Sequence, residues 1–242
     1  MTQDMEISRG VDKLATLEKA IAKKEPNNGA LYYEVASLFL RICNRQSRAL
    51  QICTSMLQKC VQLQPQNASF ICELGYAYIL QGNYSQSLKH YRDASKRDSN
   101  NLSAIEGMIM SQILQGEYED AEAQIELISV MQSGDEDDIT AEYSFIQSLL
   151  AFHSSQTHKR NLKLHLEHLE ACKGKLLSTY SNTVKYGPGH SATPLVMTNG
   201  GNVHSNHVVG GSCGLRNELM FLNPDLLFQV GASYLFHLEP TT

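Results

Sequence analysis

The residues best suited to chemistry are histidines. His165-Leu-Glu-His168 sets two imidazoles at i and i+3 with Glu167 between them, and His153 and His158 lie nearby in sequence. A zinc site needs such neighbours, because neutral imidazole nitrogen is one of its preferred ligands. The helical zinc motifs H-E-x-x-H and H-x-x-E-H are not matched, however, and no third ligand follows at a fitting spacing. The expected state of these side chains is therefore solvated helix histidine. A second group, His190, His204, His207 and Cys213, falls in a glycine-rich stretch where nothing fixes ligands in place. Gly210-Gly211-Ser212-Cys213-Gly214 is not a phosphate loop, since Leu215 and Arg216 stand where a lysine and a hydroxyl are needed. Nor is Cys213 accompanied by the fixed histidine that a cysteine nucleophile requires. The acidic run Asp135–Asp138 lacks the spacing and sixth-position glycine of a calcium loop, and is expected to favour the start of the next helix electrostatically. No catalytic residue, metal site, cofactor or small-molecule substrate is assigned.

Composition narrows the classes further. The chain has 242 residues, 42% hydrophobic and 19% charged, with no Trp and a formal net charge of −5. Globally disordered, collagen-like and disulfide-dense classes are excluded. A mildly acidic chain lacks the basic footprint of a nucleic-acid binder or of a protein held to anionic membrane. The charged share is below the typical value of about a quarter, which fits a surface covered by partners. The six cysteines form no CxxC pair, and residues 1–10 are polar with Asp4 and Glu6, so a reduced intracellular protein without a signal peptide is expected. The apolar stretch Glu218–Leu238 is broken by Asn223, Pro224, Asp225 and Gln229, so no membrane span is expected. Asn67, Asn83 and Asn101 begin N-x-S sequons, read as chance matches.

An internal repeat supplies the elements that would position any site. Leu80-Gln81-Gly82-Asn83-Tyr84 recurs 34 residues later as Leu114-Gln115-Gly116-Glu117-Tyr118. The same offset carries Ile71 to Ile105, Leu74 to Met108, Ser87 to Ala121 and Tyr91 to Ile125. Thirty-four residues is the tetratricopeptide repeat length. Ile71, Leu74 and Tyr78 lie on one helical face, and Gly75 lets a second helix approach. Gly82 and Gly116 supply the left-handed turn that ends the first helix of each pair. Tyr84, Ser87, Leu88, Tyr91 and Ala94 form the stripe of a second helix, and Tyr118, Ala121 and Ile125 repeat it. Two helices cannot bury both faces, so copies must stack.

The expected fold is all-α, a tetratricopeptide-repeat solenoid of stacked antiparallel helix pairs. Its parts are an N-terminal tail 1–8, a solenoid 9–177, a flexible linker 178–214 and a C-terminal helical segment 215–242. The solenoid holds a half repeat 9–26, repeats about 29–66, 68–101 and 102–135, and a degenerate pair 139–177. Its first half repeat has one helix only, as in a segment cut from a longer solenoid. The 29–66 copy has a longer inter-helix turn near Cys43–Arg48. The linker holds seven of the 16 glycines, and Lys185 is its single charge. Asn223-Pro224-Asp225 is a helix start, predicting a helix over Pro224 to Leu238. Along the first helices of the pairs, Cys72, Tyr76, Ile79, Glu106, Met110 and Ile113 form a candidate partner groove, with packing against neighbouring repeats as the competing role.

The two 34-residue copies resemble tetratricopeptide repeats in general, and a narrower likeness is carried by longer runs. Asp12-Lys-Leu-Ala-Thr-Leu-Glu, Glu25-Pro-Asn-Asn-Gly, Cys72-Glu-Leu-Gly-Tyr-Ala-Tyr and Ala141-Glu-Tyr-Ser-Phe-Ile resemble the tetratricopeptide repeat protein 21 family. His168-Leu-Glu-Ala-Cys and Leu222-Asn-Pro-Asp-Leu-Leu fit the same family. The resemblance covers most of 6–177 and again roughly 219–238, and the glycine-rich 178–214 segment departs from it. It implies a non-enzymatic scaffold of intraflagellar transport complex A, acting in retrograde ciliary transport and located at the cilium and its base. Its implied partners are the WD-repeat and helical-repeat subunits of that complex. Two other classes make demands on particular residues. A chaperone-adaptor repeat domain gripping peptide C-termini needs Lys, Asn and Arg in the groove, where Cys72 and Tyr76 stand. An enzyme or metal protein would use the histidines.

Overall fold

Asparagine and glycine punctuate the middle of the chain, where three helices begin at an asparagine and two helix ends turn at a glycine. A computed structural model describes residues 2–42, 45–131, 140–153, 159–186 and 230–232. The described residues are helical with short turns and contain no strand. In chain order the helices are α1 (Thr2–Lys24), α2 (Gly29–Ile42), α3 (Ser47–Leu63), α4 (Ala68–Leu80), α5 (Tyr84–Arg97), α6 (Leu102–Gln115), α7 (Tyr118–Met131), α8 (Ala141–His153) and α9 (Lys159–Tyr186).

Asn67, Asn83 and Asn101, the three sequon asparagines, are helix N-caps. Their side-chain oxygens accept from the backbone N–H of Ser69 and Phe70, of Gln86, and of Ala104. Each satisfies donors that the first helical turn leaves without a partner. At the other end Gly82 has φ +75° and Gly116 φ +84°, where a side chain would be strained. Asn83 N–H donates to Tyr78 O and Gly82 N–H to Ile79 O, and Glu117 and Gly116 repeat the pattern on Gln112 and Ile113. Both copies thus close with the same double-bonded C-terminal turn.

The chain divides into two compact units, Met1–Cys172 and Lys173–Thr242. In the first, α2–α3, α4–α5 and α6–α7 are antiparallel neighbours, and each pair packs on the next in chain order. First helices also meet first helices: α2 packs on α4, α4 on α6 and α6 on α8. This is an all-α helical-repeat architecture. A core around Leu14, Leu40, Met56, Leu57 and Ala77 joins α1 to α4. A second, with Ile71, Cys72, Ile79, Tyr91, Ala94 and Ala104, joins α4, α5 and α6. The third, with Ile105, Ile109, Ile113, Ala121, Ile128 and Ile146, joins α6, α7 and α8.

The Tyr91 ring sets the spacing at the centre. It lies between the backbones of two first helices: a Cβ on Gly75 would come within 2.9 Å of the ring, and one on Gly107 within 2.2 Å. The sequence points to Gly75 as a close approach; Gly107 is its unanticipated counterpart. Of the other packing residues, Leu74, Ala94 and Ala121 are buried, while Tyr78, Tyr84, Met108, Tyr118 and Ile125 are half-buried.

Two helices exceed their expected bounds. α1 includes residues 2–8, read above as a tail, and that run contains no proline or glycine to stop it. α9 continues past Leu177 to Tyr186, into the segment read as a linker. Its first breakers are Gly187 and Pro188, and without one a helix propagates. In the second unit 230–232 are helical and Val230 is buried. The rest of the linker and of the predicted Pro224–Leu238 helix lies outside the described residues, as do His158, His190, His204, His207, Cys213 and Asp135–Asp138.

Candidate functional site

The six groove residues lie on α4 and α6, as their spacing requires, but neighbouring helices cover most of them. Cys72, Ile79 and Ile113 are 8%, 4% and 1% exposed, and Glu106 is 9% exposed. Tyr76 and Met110 are half-buried. Cys72, Ile79, Tyr76 and Met110 share the core around Tyr91, whereas Ile113 belongs to the next core along the chain. Within this chain the set acts in inter-repeat packing, with only Tyr76 and Met110 retaining appreciable exposure.

A seam of polar contacts between successive first helices was not legible in the sequence. Arg41 on α2 pairs with Glu73 on α4 through both carboxylate oxygens, Nη2 lying 3.2 Å from Oε2. The guanidinium also donates to Ser37 O and lies 5.4 Å from the Tyr76 ring centroid. Burial alone would lower the Arg41 pKa, but the adjacent carboxylate outweighs it and holds the charge firmly on. From α4 to α6, the Cys72 thiol lies 3.8 Å from Oδ1 of the cap residue Asn101. From α6 to α8, Thr140 Oγ1 donates to Glu106 Oε1 at 2.6 Å and accepts from Tyr143 N–H at 3.0 Å. Each first helix is thus tied to the next, two of the three ties running through the cap of the following helix.

Glu106 differs from Glu73 in having no cation bonded to it among the described residues. Burial raises its pKa to about 7, Thr140 partly opposes this, and the nearby Glu142 carboxylate adds to it. The folded chain therefore retains a proton that the unfolded chain releases above about pH 4.5. Stability supplied at this position is full below that pH and is lost as pH rises through about 7. Glu106→Gln keeps an acceptor for Thr140 and removes the titration. At pH 8 it is expected to be more stable than the native chain by up to about 3 kcal/mol, with no gain near pH 4.5. Paired thermal melts across that range check this; an equal difference at both pH values would contradict it.

The histidines do not converge. His165 is 2% exposed rather than solvated, which corrects the reading from sequence. Its Nδ1 lies 2.7 Å from Ser148 Oγ and 2.8 Å from Ser148 O, and the contact to a carbonyl oxygen requires a proton on that nitrogen. The partner sits on α8, a helix away, which helical spacing could not reveal. Phe152 packs on the ring at 5.1 Å between centroids. Burial lowers the pKa of His153 and of His168, for the latter against the nearby Glu167. Among the described residues no three His, Cys, Asp or Glu side chains are grouped to hold a metal.

The described thiols are packing groups. Burial pushes Cys60, Cys72 and Cys172 up to about 12, and the Cys60 thiol donates to Met56 O at 3.1 Å and Gly29 O at 3.3 Å. Reactivity follows the thiolate, so these three are expected to resist iodoacetamide at pH 8 until the chain unfolds. Peptide-resolved alkylation with and without denaturant measures this; rapid labelling of the folded chain would contradict the burial. No helix among the described residues is long and apolar enough to cross a membrane.

Stacked helix pairs with their polar groups engaged between helices define a helical-repeat protein. The family model described as the tetratricopeptide repeat protein 21 second ARM domain matches residues 12–183. Tetratricopeptide repeat protein 21B of Mus musculus is 32% identical over 177 residues, covering 70% of this chain and 13% of that protein. Tetratricopeptide repeat protein 21B of Homo sapiens is 31% identical over 159 residues, 66% of this chain and 12% of its own length. Tetratricopeptide repeat protein 21A of Mus musculus is 31% identical over 144 residues, 59% and 11% of the two chains. The chain belongs to the tetratricopeptide repeat protein 21 family. It spans only 13% of the length of the first of these relatives.

Proposed function

We propose that this chain is a non-enzymatic scaffold segment of intraflagellar transport complex A, supporting retrograde ciliary transport and cilium assembly through protein–protein contacts. The family match over residues 12–183 carries the reading. The physical arrangement supports it: stacked repeats expose long surfaces while each repeat needs only its neighbours for stability, a division suited to holding several partners. The buried ionisable groups fit the same role. Arg41, Glu73 and Glu106 all bond to adjacent helices, as expected of side chains that set helix order. The partners are the WD-repeat and helical-repeat subunits of the complex, met at the cilium and ciliary base. Affinity purification of the tagged chain from ciliated cells tests this. Recovery of complex A subunits above a tag-only control is expected, and recovery of none of them would overturn the proposal.

A further inference from the structure

The second helices of the repeats differ sharply in charge. α5 carries Lys89, Arg92, Lys96 and Arg97 against Asp93, whereas α7 carries Glu119, Asp120, Glu122 and Glu126 with no Lys or Arg. Two α5 cations have local roles: Arg97 donates to Pro65 O and Asp93 O, both at 2.8 Å, and Lys96 lies 3.7 Å from Asp93. Lys89 and Arg92 have no ion-pair or hydrogen-bond partner among the described residues. They rim a groove of about 390 Å³ between α5 and the α6–α7 turn, with Leu88 and the Asp93–Lys96 pair in its α5 wall and Gln115 and Glu117 on the far wall.

The fold does not require these cations. One repeat later, the positions of Lys89, Arg92 and Lys96 hold Ala123, Glu126 and Val130 in α7, which packs on its own first helix α6 as α5 packs on α4, though less extensively. Arg92 and Lys96 form a like-charge i, i+4 pair, an arrangement that weakens an isolated helix. Lys89 and Arg92, which bond to no described residue, and of which Arg92 also faces the like charge of Lys96, fit an external anion. We propose that this groove accepts a short acidic segment of a partner protein, its carboxylates held by Lys89 and Arg92.

The dimensions set the occupant. From Lys89 to Lys96 the helix advances about 10 Å at ~1.5 Å per residue, the reach of about three residues of extended peptide. A long polyanion, such as nucleic acid or a sheet of anionic lipid, would run onto the acidic face of α7 and be repelled. Glu117 makes the groove one-sided, so the carboxylates face α5. The chemistry of this contact does not depend on the identity of the assembly.

The test uses the purified 242-residue chain and a fluorescein-labelled peptide with an Asp-Asp-Asp-Asp core between Gly-Ser flanks, followed by anisotropy. Binding that weakens with added NaCl is expected. Combined Lys89→Glu and Arg92→Glu should weaken it about tenfold or more, as loss of charge-assisted contacts requires. Combined Lys23→Glu and Lys24→Glu on α1, the same change in net charge, should leave it unchanged. Circular-dichroism melts establish that both variants fold. Failure of the native chain to bind the peptide, equal affinity in the groove variant, or equal loss in the α1 variant would each overturn the proposal. So would binding of phosphatidylserine vesicles or single-stranded DNA in preference to the peptide.

Discussion

Replacing Gly107 by alanine is expected to destabilise the chain by about 3 kcal/mol or more, the upper range for overpacking. A Cβ there would stand 2.2 Å from the Tyr91 ring, well inside contact distance. The ring is 5% exposed and is bounded on its other side by Gly75, so it has no room to swing away. α4 and α6 would have to separate, opening the core that joins them. The sign is informative because intrinsic propensity works the other way: alanine is favoured over glycine in a helix interior by roughly 1 kcal/mol. Gly75→Ala should cost less, since its added carbon meets the ring at 2.9 Å. Tyr91→Ala should cost about 3–5 kcal/mol through the cavity it leaves. Adding Tyr91→Leu to Gly107→Ala should cost less than the sum of the two single changes, because the shorter side chain leaves space for the new methyl. Thermal melts of the four single variants, Tyr91→Leu among them, and of the double variant measure all of this. A higher melting temperature for Gly107→Ala would show that the helices are not spaced by this ring.

Glu73→Ala is the second large effect. The Arg41 side chain is 15% exposed and that of Glu73 8%, so the pair sits mostly out of water. Removing the carboxylate leaves a mostly enclosed guanidinium next to Tyr76 with one backbone acceptor, Ser37 O. A charge stranded in this way costs about 3–5 kcal/mol. Such a figure is not the net worth of the pair, because assembling it also required stripping water from both ions. Arg41→Met with Glu73→Leu should therefore recover most of the loss. Arg41→Lys should not preserve native stability, since a single ammonium cannot match both carboxylate oxygens. Denaturant melts separate these cases. Near-native stability of Glu73→Ala would mean that the ion pair contributes nothing to the α2–α4 seam.

Local chemistry made the repeat legible, and distant partners hid the site. Gly82 and Gly116 stand out in sequence because only a left-handed turn explains them, and both have positive φ. Gly107 escapes the 34-residue comparison because its counterpart one repeat earlier is Glu73, not Gly75. Tyr91 meets its two glycines at different registers, so periodicity marks one of them only. The cap asparagines were visible as residues but carried a competing reading as sequons. The Arg41–Glu73, Glu106–Thr140 and His165–Ser148 contacts each link separate helices, and no spacing rule within one helix reaches that far. The groove residues fall on the anticipated helices, but amphipathic pattern does not tell a face that meets a partner from one that meets the next repeat. α9 runs past Leu177 because residues 178–186 hold no glycine or proline; the composition that marks a loop begins only at Gly187.

The scaffold reading is tested most directly by photo-crosslinking from single positions across residues 68–131, in the chain expressed in ciliated cells. Crosslinks to the WD-repeat and helical-repeat subunits of complex A, clustered on exposed helix faces, are the predicted result. A folded chain that reaches the cilium yet crosslinks to none of those subunits from any position would contradict the account.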